Sequence, residues 1–283
     1  MTGVLASFRY LLADVLGIDD AQPPAIPDDW PEPVKPVVRE AIPRLIDFQG
    51  PSYAQLYMDR LGRFVRRRGM NDTLLAELAQ LMAQRMCYAD PVRCAQLALA
   101  SSDGRPPTEG GRAIERLWVE DMLASLPAGL LVIPIIGVSW AKWCRTSMHL
   151  RFAAARHPGR FGLKTLASLR RWRPVSGRYA VERVWVERWL HMIDRSLVKQ
   201  PQAAPAIVQS AAMIHGHGQP YRQAVADWHA IIDGLAKPTF DGELVLPDLA
   251  GAIAEARAAA AASPEGGALR SIAAIRARTV RAV

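Results

Sequence analysis

The sequence predicts an all-α protein: a multi-helix globular domain with a Pro-rich N-terminal arm and an Ala-rich helical C-terminal tail. The 283 residues are 50% apolar, enough to bury a substantial core. Apolar residues recur at three- and four-residue steps along most of the chain, which is the helical period, and only residues 238–246 look extended. We therefore predict three regions: an N-terminal helix with a Pro-rich connector (1–36), a helical domain (37–248) and an Ala-rich helical tail (249–283).

Prolines and helix-capping residues mark the boundaries of the predicted elements. Six prolines between Gln22 and Pro36 indicate a stiff linker or an ordered arm. Three amphipathic helices come next, and Pro51 suits the first turn of the second of them. Asn71-Asp72-Thr73 can cap the third helix, and Asp90 followed by Pro91 predicts the start of a fourth that runs through Leu99.

Beyond a polar loop at 101–111, the helical period returns in seven further segments. They are Leu117 to Leu126, Ile133 to Cys144, Leu150 to Arg156, Leu163 to Trp172, Val181 to Leu197, Ala204 to Ile214 and Tyr221 to Leu235. From Leu249 the chain is rich in alanine, with a break at 263–267. Such helices form readily but bury little, so this end is either a tail that lies on the domain or on a partner, or a frayed terminus.

Charge is distributed unevenly along the chain, whose net charge is +8. Residues 122–181 contain no Asp or Glu but ten Lys and Arg, a concentration that favours docking of an anionic or acidic partner. The densest part is Leu169-Arg-Arg-Trp-Arg-Pro174. Within this segment we select the following docking candidates: Arg145, Lys164, Arg170, Arg171, Trp172 and Arg173.

The arginines of this patch have a second interpretation that the sequence leaves open. Cations before a proline at a helix end also stabilise the helix C-terminus through its dipole. A third interpretation pairs the arginines with nucleic-acid phosphates and stacks Trp172 on a base, but no known nucleic-acid motif accompanies them, which makes nucleic acid the less favoured partner.

Metal and catalytic sites are not predicted. Cys87, Cys94 and Cys144 fit no disulfide framework or cluster motif, which favours packing roles and a cytoplasmic location. His215 and His217, with His229 and either Asp227 or Asp233, could bind a metal ion, but the intervening glycines favour a helix-ending turn. A phosphate loop and a nucleophile elbow are absent, so no catalytic residue is assigned.

A few polar residues remain as the places to inspect for a pocket: Tyr53, Tyr57, Tyr88, Asp90, Arg93 and His149. Each is expected to be a satisfied core or surface group. The apolar run Leu126 to Trp140 is too short to span a bilayer and contains Pro134 and Gly137. It therefore predicts a buried or interface helix, and the chain shows neither a secretory signal nor a transmembrane segment.

Four segments resemble a known family when they are taken in order. They are Leu45 to Tyr57, Met86 to Gln96, Leu169 to Pro174 and Ile214 to Arg222. Their order and spacing, from about Pro36 to about Gly234, are similar to the helical C-terminal extension, a domain of unknown function, of bacterial indolepyruvate ferredoxin oxidoreductase beta subunits. The chain departs from those subunits because it lacks the Gly-rich start of their α/β, gamma-type domain, and because histidines occupy 215 and 217.

The resemblance implies a role in a two-component aryl 2-oxoacid oxidoreductase. In that family thiamine diphosphate and iron–sulfur clusters belong to the large subunit, ferredoxin accepts the electrons and coenzyme A accepts the acyl group. This chain would then carry no cofactor. Its expected partners are the large subunit, a separate gamma-type chain where one exists, and ferredoxin, and its expected role is assembly of the complex or docking of ferredoxin or coenzyme A. The alternative is a free-standing basic helical protein that binds nucleic acid or an anionic surface.

Overall fold

The computed structural model describes residues 22–103, 114–125, 149–153, 157–216 and 218–281. Helices dominate these residues, so the all-α prediction is confirmed. The predicted N-terminal helix before the connector, the apolar run 126–140 and the helix predicted at 133–144 lie outside the described residues. No helix among those described is both long enough and apolar enough to cross a lipid bilayer.

Twelve α-helices and two short strands occur in the described ranges. The α-helices are α1 (Val34–Phe48), α2 (Pro51–Gly62), α3 (Asp72–Met86), α4 (Pro91–Asp103), α5 (Val119–Ala124), α6 (His157–Ser168), α7 (Gly177–Lys199), α8 (Ala204–Gln209), α9 (Gly218–Ile231), α10 (Lys237–Asp241), α11 (Leu249–Ala262) and α12 (Gly267–Arg281). Short 3-10 helices cover Leu169–Val175, Pro201–Ala203 and Ser210–Met213, and a π-helical turn covers Ile232–Ala236.

The predicted helix starts are correct where polar caps set them. The amide of Leu74 donates to the Asn71 carboxamide at 2.8 Å at the start of α3, and the amide of Arg93 donates to the Asp90 carboxylate at 2.6 Å at the start of α4. Pro51 opens α2 as expected. Local chemistry therefore determines where these helices begin.

Two local predictions were wrong. Strand β1 (Ile114–Trp118) and strand β2 (His149–Ala153) pair antiparallel, from Ile114 opposite Ala153 to Trp118 opposite His149. The segment predicted to be helical from Leu150 is therefore a strand in its described residues, whereas the helix predicted from Leu117 is present as α5 (Val119–Ala124). Of residues 238–246, predicted to be extended, the first four lie in α10, which ends at Asp241 and is capped by Gly242 with a φ of 83°. The remaining residues, 242–246, are irregular. Strand pairing over a long sequence separation has no local signal, whereas Pro238 in a first turn favours a helix.

The chain forms two compact units that interleave along the sequence and do not coincide with the three predicted regions. The first unit is built from Arg44–Leu56 and Cys87–Arg183, and the second from Ala25–Pro43, Tyr57–Met86 and Val184–Val283. The divisions fall inside α1, α2 and α7.

In the first unit α4 packs against α6. Ala95 and Ala98 of α4 and Leu163 of α6 are buried together, and Leu99, Leu166 and Ala167 pack around them. Small residues on α4 allow the close approach of α6, so one face of α6 is buried and the other faces solvent.

The second unit has an aromatic core. The indole of Trp185 contacts those of Trp189 and Trp228, with Trp189 stacked on it at 5.7 Å between centroids and Trp228 edge-on at 4.8 Å. The indole of Trp189 donates to the Ile207 carbonyl and that of Trp228 to the Ser210 hydroxyl, each at 2.9 Å. These bonds satisfy the indole N–H groups of Trp189 and Trp228 inside the core.

Both ends of the second unit are ordered by packing. Trp30 of the Pro-rich arm is buried. The Ala-rich α11 buries Leu249, Ile253 and Ala256 and packs against α8, α9 and α12. Of the alternatives open for the C-terminal tail, the structure therefore shows a helical pair that lies on the domain.

Candidate functional site

The basic patch selected from the sequence lies at the end of α6 and in the 3-10 helix that follows it. Lys164 is in α6, and Arg170, Arg171, Trp172 and Arg173 are in Leu169–Val175. A 3-10 helix has three residues per turn, so residues i and i+3 share a side. Arg170 and Arg173 accordingly share one side, and Arg171 and Trp172 lie on the others. The remaining candidate, Arg145, lies outside the described residues.

Arg173 is not a surface residue, which corrects its selection as a docking candidate. Its side chain is 1% exposed, and Nε and Nη2 donate to the two carboxylate oxygens of Asp90 at 2.7 and 3.1 Å. Nη1 donates to the Phe48 carbonyl at 2.5 Å and to the Gln49 side chain at 3.1 Å, and the guanidinium lies 3.9 Å from the centre of the Phe48 ring. Four of its five N–H donors therefore form hydrogen bonds within the core of the first unit.

The electrostatics of Arg173 keep it charged. Burial alone would lower the pKa of its guanidinium, but the Asp90 carboxylate outweighs this and the pKa is raised. Because Asp90 is itself 2% exposed and also caps α4, this ion pair joins the start of α4 to the 3-10 helix.

Arg170 also points inward. Its Nη2 donates to the Ile46 carbonyl at 2.7 Å, and its own carbonyl accepts from the Gln49 carboxamide at 3.2 Å. Ile46 and Phe48 belong to the last turn of α1, whose carbonyls have no partner within the helix. Arg170 and Arg173 satisfy two of these carbonyls and complement the negative end of the helix dipole. The sequence placed these arginines at the end of their own helix, but the helix end that Arg170 and Arg173 bind is that of α1.

The other side of the same segment is open to solvent. Arg171 and Lys164 are exposed and Trp172 is 50% exposed. Within the part of the chain that the structure describes, neither Lys164 nor Arg171 has an ion-pair partner. The sequence did not single out Phe161 of α6, which is 74% exposed, because a lone aromatic in a helical pattern predicts core packing.

Three arginines of the second unit, unlike Lys164 and Arg171, form ion pairs within the chain. Arg60 and Arg63 both bond to Glu187, and Arg67 pairs with Asp194 at 2.6 Å. Burial would raise the pKa of the Glu187 carboxyl, but Arg60 and Arg63 outweigh this and lower it. These arginines join α2 and the turn after it to α7, whereas Lys164 and Arg171 are exposed and have no ion pair among the described residues.

An aromatic cluster surrounds the Arg173–Asp90 pair. Phe48 contacts Tyr53 and Tyr88, at 5.7 and 5.2 Å between ring centroids, and Tyr53 contacts Tyr179 at 6.1 Å. Burial, followed by the Asp90 carboxylate, raises the pKa of Tyr88 well above its usual value. The Tyr88 phenol therefore stays neutral. Of the polar residues that the sequence marked for inspection, Tyr53, Tyr88 and Asp90 belong to this packed core cluster.

The other polar residues that the sequence marked for inspection lie in different parts of the structure. Tyr57 is buried in the second unit and donates to the Ala79 carbonyl at 3.1 Å, and Arg93 pairs with Asp47 at 2.5 Å. His149 begins β2. None of these contacts places them in a common pocket.

The histidines do not form a metal centre in the described ranges, where no group of three or more His, Cys, Asp or Glu side chains is close enough to hold an ion. His215 is exposed, and His217 lies outside those ranges. His229 accepts a 2.8 Å hydrogen bond at Nδ1 from Arg188, which also pairs with Asp233. Gly216 and Gly218 have φ values of 75° and 70°, the left-handed turn that the glycines predicted.

Cys87 and Cys94 are free thiols, and Cys144 lies outside the described residues. Burial raises the pKa of the Cys87 thiol to about 11, against the opposing charges of nearby arginines. The thiol is therefore protonated near neutral pH, which fits a packing role and not a nucleophile.

These features define an all-α protein with an exposed cationic and aromatic face on its first unit. The chain belongs to the Family of unknown function (DUF6537), whose family model matches residues 34–234. Comparisons with curated proteins and with solved structures find no match.

Proposed function

We propose that the protein is an accessory subunit, without a cofactor of its own, of an aryl 2-oxoacid:ferredoxin oxidoreductase of the indolepyruvate type. Its exposed cationic face would dock an acidic partner, either the large thiamine- and cluster-containing subunit or ferredoxin. Thiamine diphosphate and the iron–sulfur clusters would reside on the large subunit, and a separate gamma-type chain would complete the complex where the gene is split. The cytoplasm is the proposed location.

The exposed pair Lys164 and Arg171 carries the docking part of this proposal. Both cations belong to the 122–181 segment, which contains no carboxylate to neutralise them locally. Exposed charges of one sign steer an oppositely charged partner and raise the association rate, with an effect that fades as salt screens it. Coenzyme A phosphates are a smaller anionic ligand that the same face could take.

The family resemblance is supported by where its motif residues lie. Phe48 and Gln49 come from the first motif, Asp90 from the second, and Arg170 and Arg173 from the third, and all five meet in one hydrogen-bonded network of the first unit. These residues specify the fold around the docking face. The family match at residues 34–234 covers nearly the same stretch as the four motifs.

The test is a charge reversal that spares the core. Arg173 must stay, because its loss would disturb the fold, so the variant is K164E/R171E. Its matched control is K237E/R276E, which makes the same charge change at two exposed positions of the second unit. Each protein is mixed with the candidate large subunit and any gamma-type chain, and then followed by sizing chromatography and by indolepyruvate-dependent ferredoxin reduction.

The expected result is co-elution and increased turnover for the native chain and the control, and weaker association at low salt for K164E/R171E. Equal association of K164E/R171E and the control would refute the docking role of this face. Separate elution of the native chain, with unchanged turnover, would refute the oxidoreductase assignment.

A second candidate function is favoured by one observation, the half-exposed indole of Trp172 beside Arg171. Indole and guanidinium together can stack on a base and bind a phosphate, which is typical of single-strand binding surfaces. Fluorescence anisotropy with a short labelled oligonucleotide tests it. Binding at low salt that falls steeply towards physiological salt would support nucleic acid or another anionic surface as the ligand, and no binding at low salt would exclude it.

A further inference from the structure

The solvent-exposed side of α6 and of the 3-10 helix that follows it carries large aromatic side chains as well as cations. The inward face packs Leu163, which is fully buried, on the small residues of α4. On the outward face Phe161 is 74% exposed, and Trp172, just past the helix, is 50% exposed. Exposed aromatic groups of this size are typical of interaction surfaces when they lie together with charges.

The exposed positions form one stripe. In α6, Lys164 and Thr165 lie three and four residues after Phe161, and Ser168 lies four and three residues after them. Arg171 follows Ser168 at the three-residue spacing of the 3-10 helix, with Trp172 adjoining it. These spacings match the periods of the two helix types. From Phe161 to Trp172 the stripe is roughly 16 to 19 Å long, about three turns of a helix. We call Phe161, Lys164, Arg171 and Trp172 the aromatic–cationic stripe.

The two hydroxyl groups within this region do not face a partner. Thr165 donates to the Phe161 carbonyl at 3.0 Å, and Ser168 donates to the Thr165 carbonyl at 2.7 Å. Both hydroxyls are thus used by the helix's own backbone. The chemistry offered outward is two apolar rings near the ends and two cations between them.

One end of the stripe is held rigidly. Arg171 and Trp172 lie between Arg170 and Arg173, whose guanidinium groups are bonded to the last turn of α1 and to Asp90. Side chains on a backbone that is already fixed lose less entropy on binding than those of a mobile loop. The stripe is therefore preorganised at its Trp172 end.

We infer that the aromatic–cationic stripe binds an amphipathic acidic helix of a partner protein, whose apolar side chains contact Phe161 and Trp172 and whose carboxylates pair with Lys164 and Arg171. Charge complementarity selects an acidic partner, and the length matches about three turns of a docked helix. Aromatic residues in such interfaces contribute a large share of the affinity. This inference rests on the proposed function for the identity of the partner and adds the contact by which that partner is held.

The experiment measures the affinity of the full chain for the candidate large subunit at low and at high salt. The variants are F161A, W172A and K164E/R171E, with L269A as the control for loss of an exposed apolar side chain on the second unit, where Leu269 is 62% exposed. Far-UV circular dichroism and the thermal midpoint confirm that each variant is folded. We expect F161A and W172A each to weaken binding about 10- to 100-fold at both salt concentrations. K164E/R171E should weaken it mainly at low salt, and L269A should bind normally. Native affinity in both F161A and W172A would overturn the inference while leaving the proposed function intact.

If the native chain does not bind the large subunit, the proposed function fails and a second arm decides the inference. Its probes are a synthetic helical peptide of three to four turns with leucines on one face and glutamates elsewhere, a polyglutamate of equal charge, and a short DNA duplex. Preferred binding of the amphipathic peptide, lost in F161A and W172A, would support the stripe. Absence of peptide binding, equal binding of polyglutamate, or preference for the duplex would overturn it.

Discussion

Replacing Arg173 with methionine should destabilise the protein severely, although the sequence places this residue in a surface-like basic run. The substitution removes the four hydrogen bonds that the guanidinium donates and leaves the buried Asp90 carboxylate without its counter-charge. Breaking a buried ion pair by removing one partner typically costs about 3 to 5 kcal/mol. That is a third or more of the total stability of many domains, which is about 5 to 15 kcal/mol.

Three further variants isolate the cause. Arg171→Met, on the exposed side of the same turn, should change the free energy of unfolding by no more than about 0.5 kcal/mol. Arg173→Lys keeps the charge but loses the bidentate geometry, so its free energy of unfolding should lie between those of the native protein and Arg173→Met. The double variant R173M/D90N removes both charges and keeps a side-chain oxygen that can accept from the Arg93 amide at the start of α4. It should be more stable than R173M, because no unpaired carboxylate remains in the core.

Urea unfolding followed by far-UV circular dichroism measures these free energies. Amide hydrogen exchange at the start of α4 shows whether the loss is centred on the first unit. A cost below about 1 kcal/mol for R173M, or a cost equal to that of R171M, would refute the assignment of Arg173 as a core residue. An R173M/D90N variant less stable than R173M would show that the carboxylate is not the source of the penalty.

Three other predictions concern separate places in the chain. With the other two cysteines replaced by serine, Cys87 should alkylate at about pH 8 roughly 100-fold more slowly in the folded protein than in denaturant, because its pKa of about 11 suppresses the thiolate; equal rates would contradict this. Burial and Arg188 lower the pKa of His229 below 6.5. The neutral His229 ring therefore contributes to the free energy of unfolding fully above pH 6.5, and this contribution is lost as the pH falls through the folded-state pKa. Between about pH 7.5 and about pH 5, the free energy of unfolding should fall less for H229Q than for the native protein. A Cβ at Gly234 would lie 2.8 Å from Ile272 of α12, so G234A should lower the free energy of unfolding by about 1 to 3 kcal/mol and I272A should cost less in that background; additive costs in the double variant would contradict the contact.

The sequence alone determined the helical class and several helix starts, because these depend on interactions between residues close in the chain. The apolar period specified the helices, Asn71 and Asp90 specified caps, and Pro51 specified a first turn. The acid-free segment also showed that excess positive charge lies in this part of the chain.

The tertiary structure decided which of those charges are available. Arg170, Arg171 and Arg173 are equivalent in sequence, but the three-residue turn directs the first and third to the end of α1 and leaves the second in solvent. The pairing of β1 with β2 and the exposure of Phe161 likewise depend on contacts between distant segments. A local pattern sets which face of a helix is apolar, but only packing against the rest of the chain determines which side chains remain exposed.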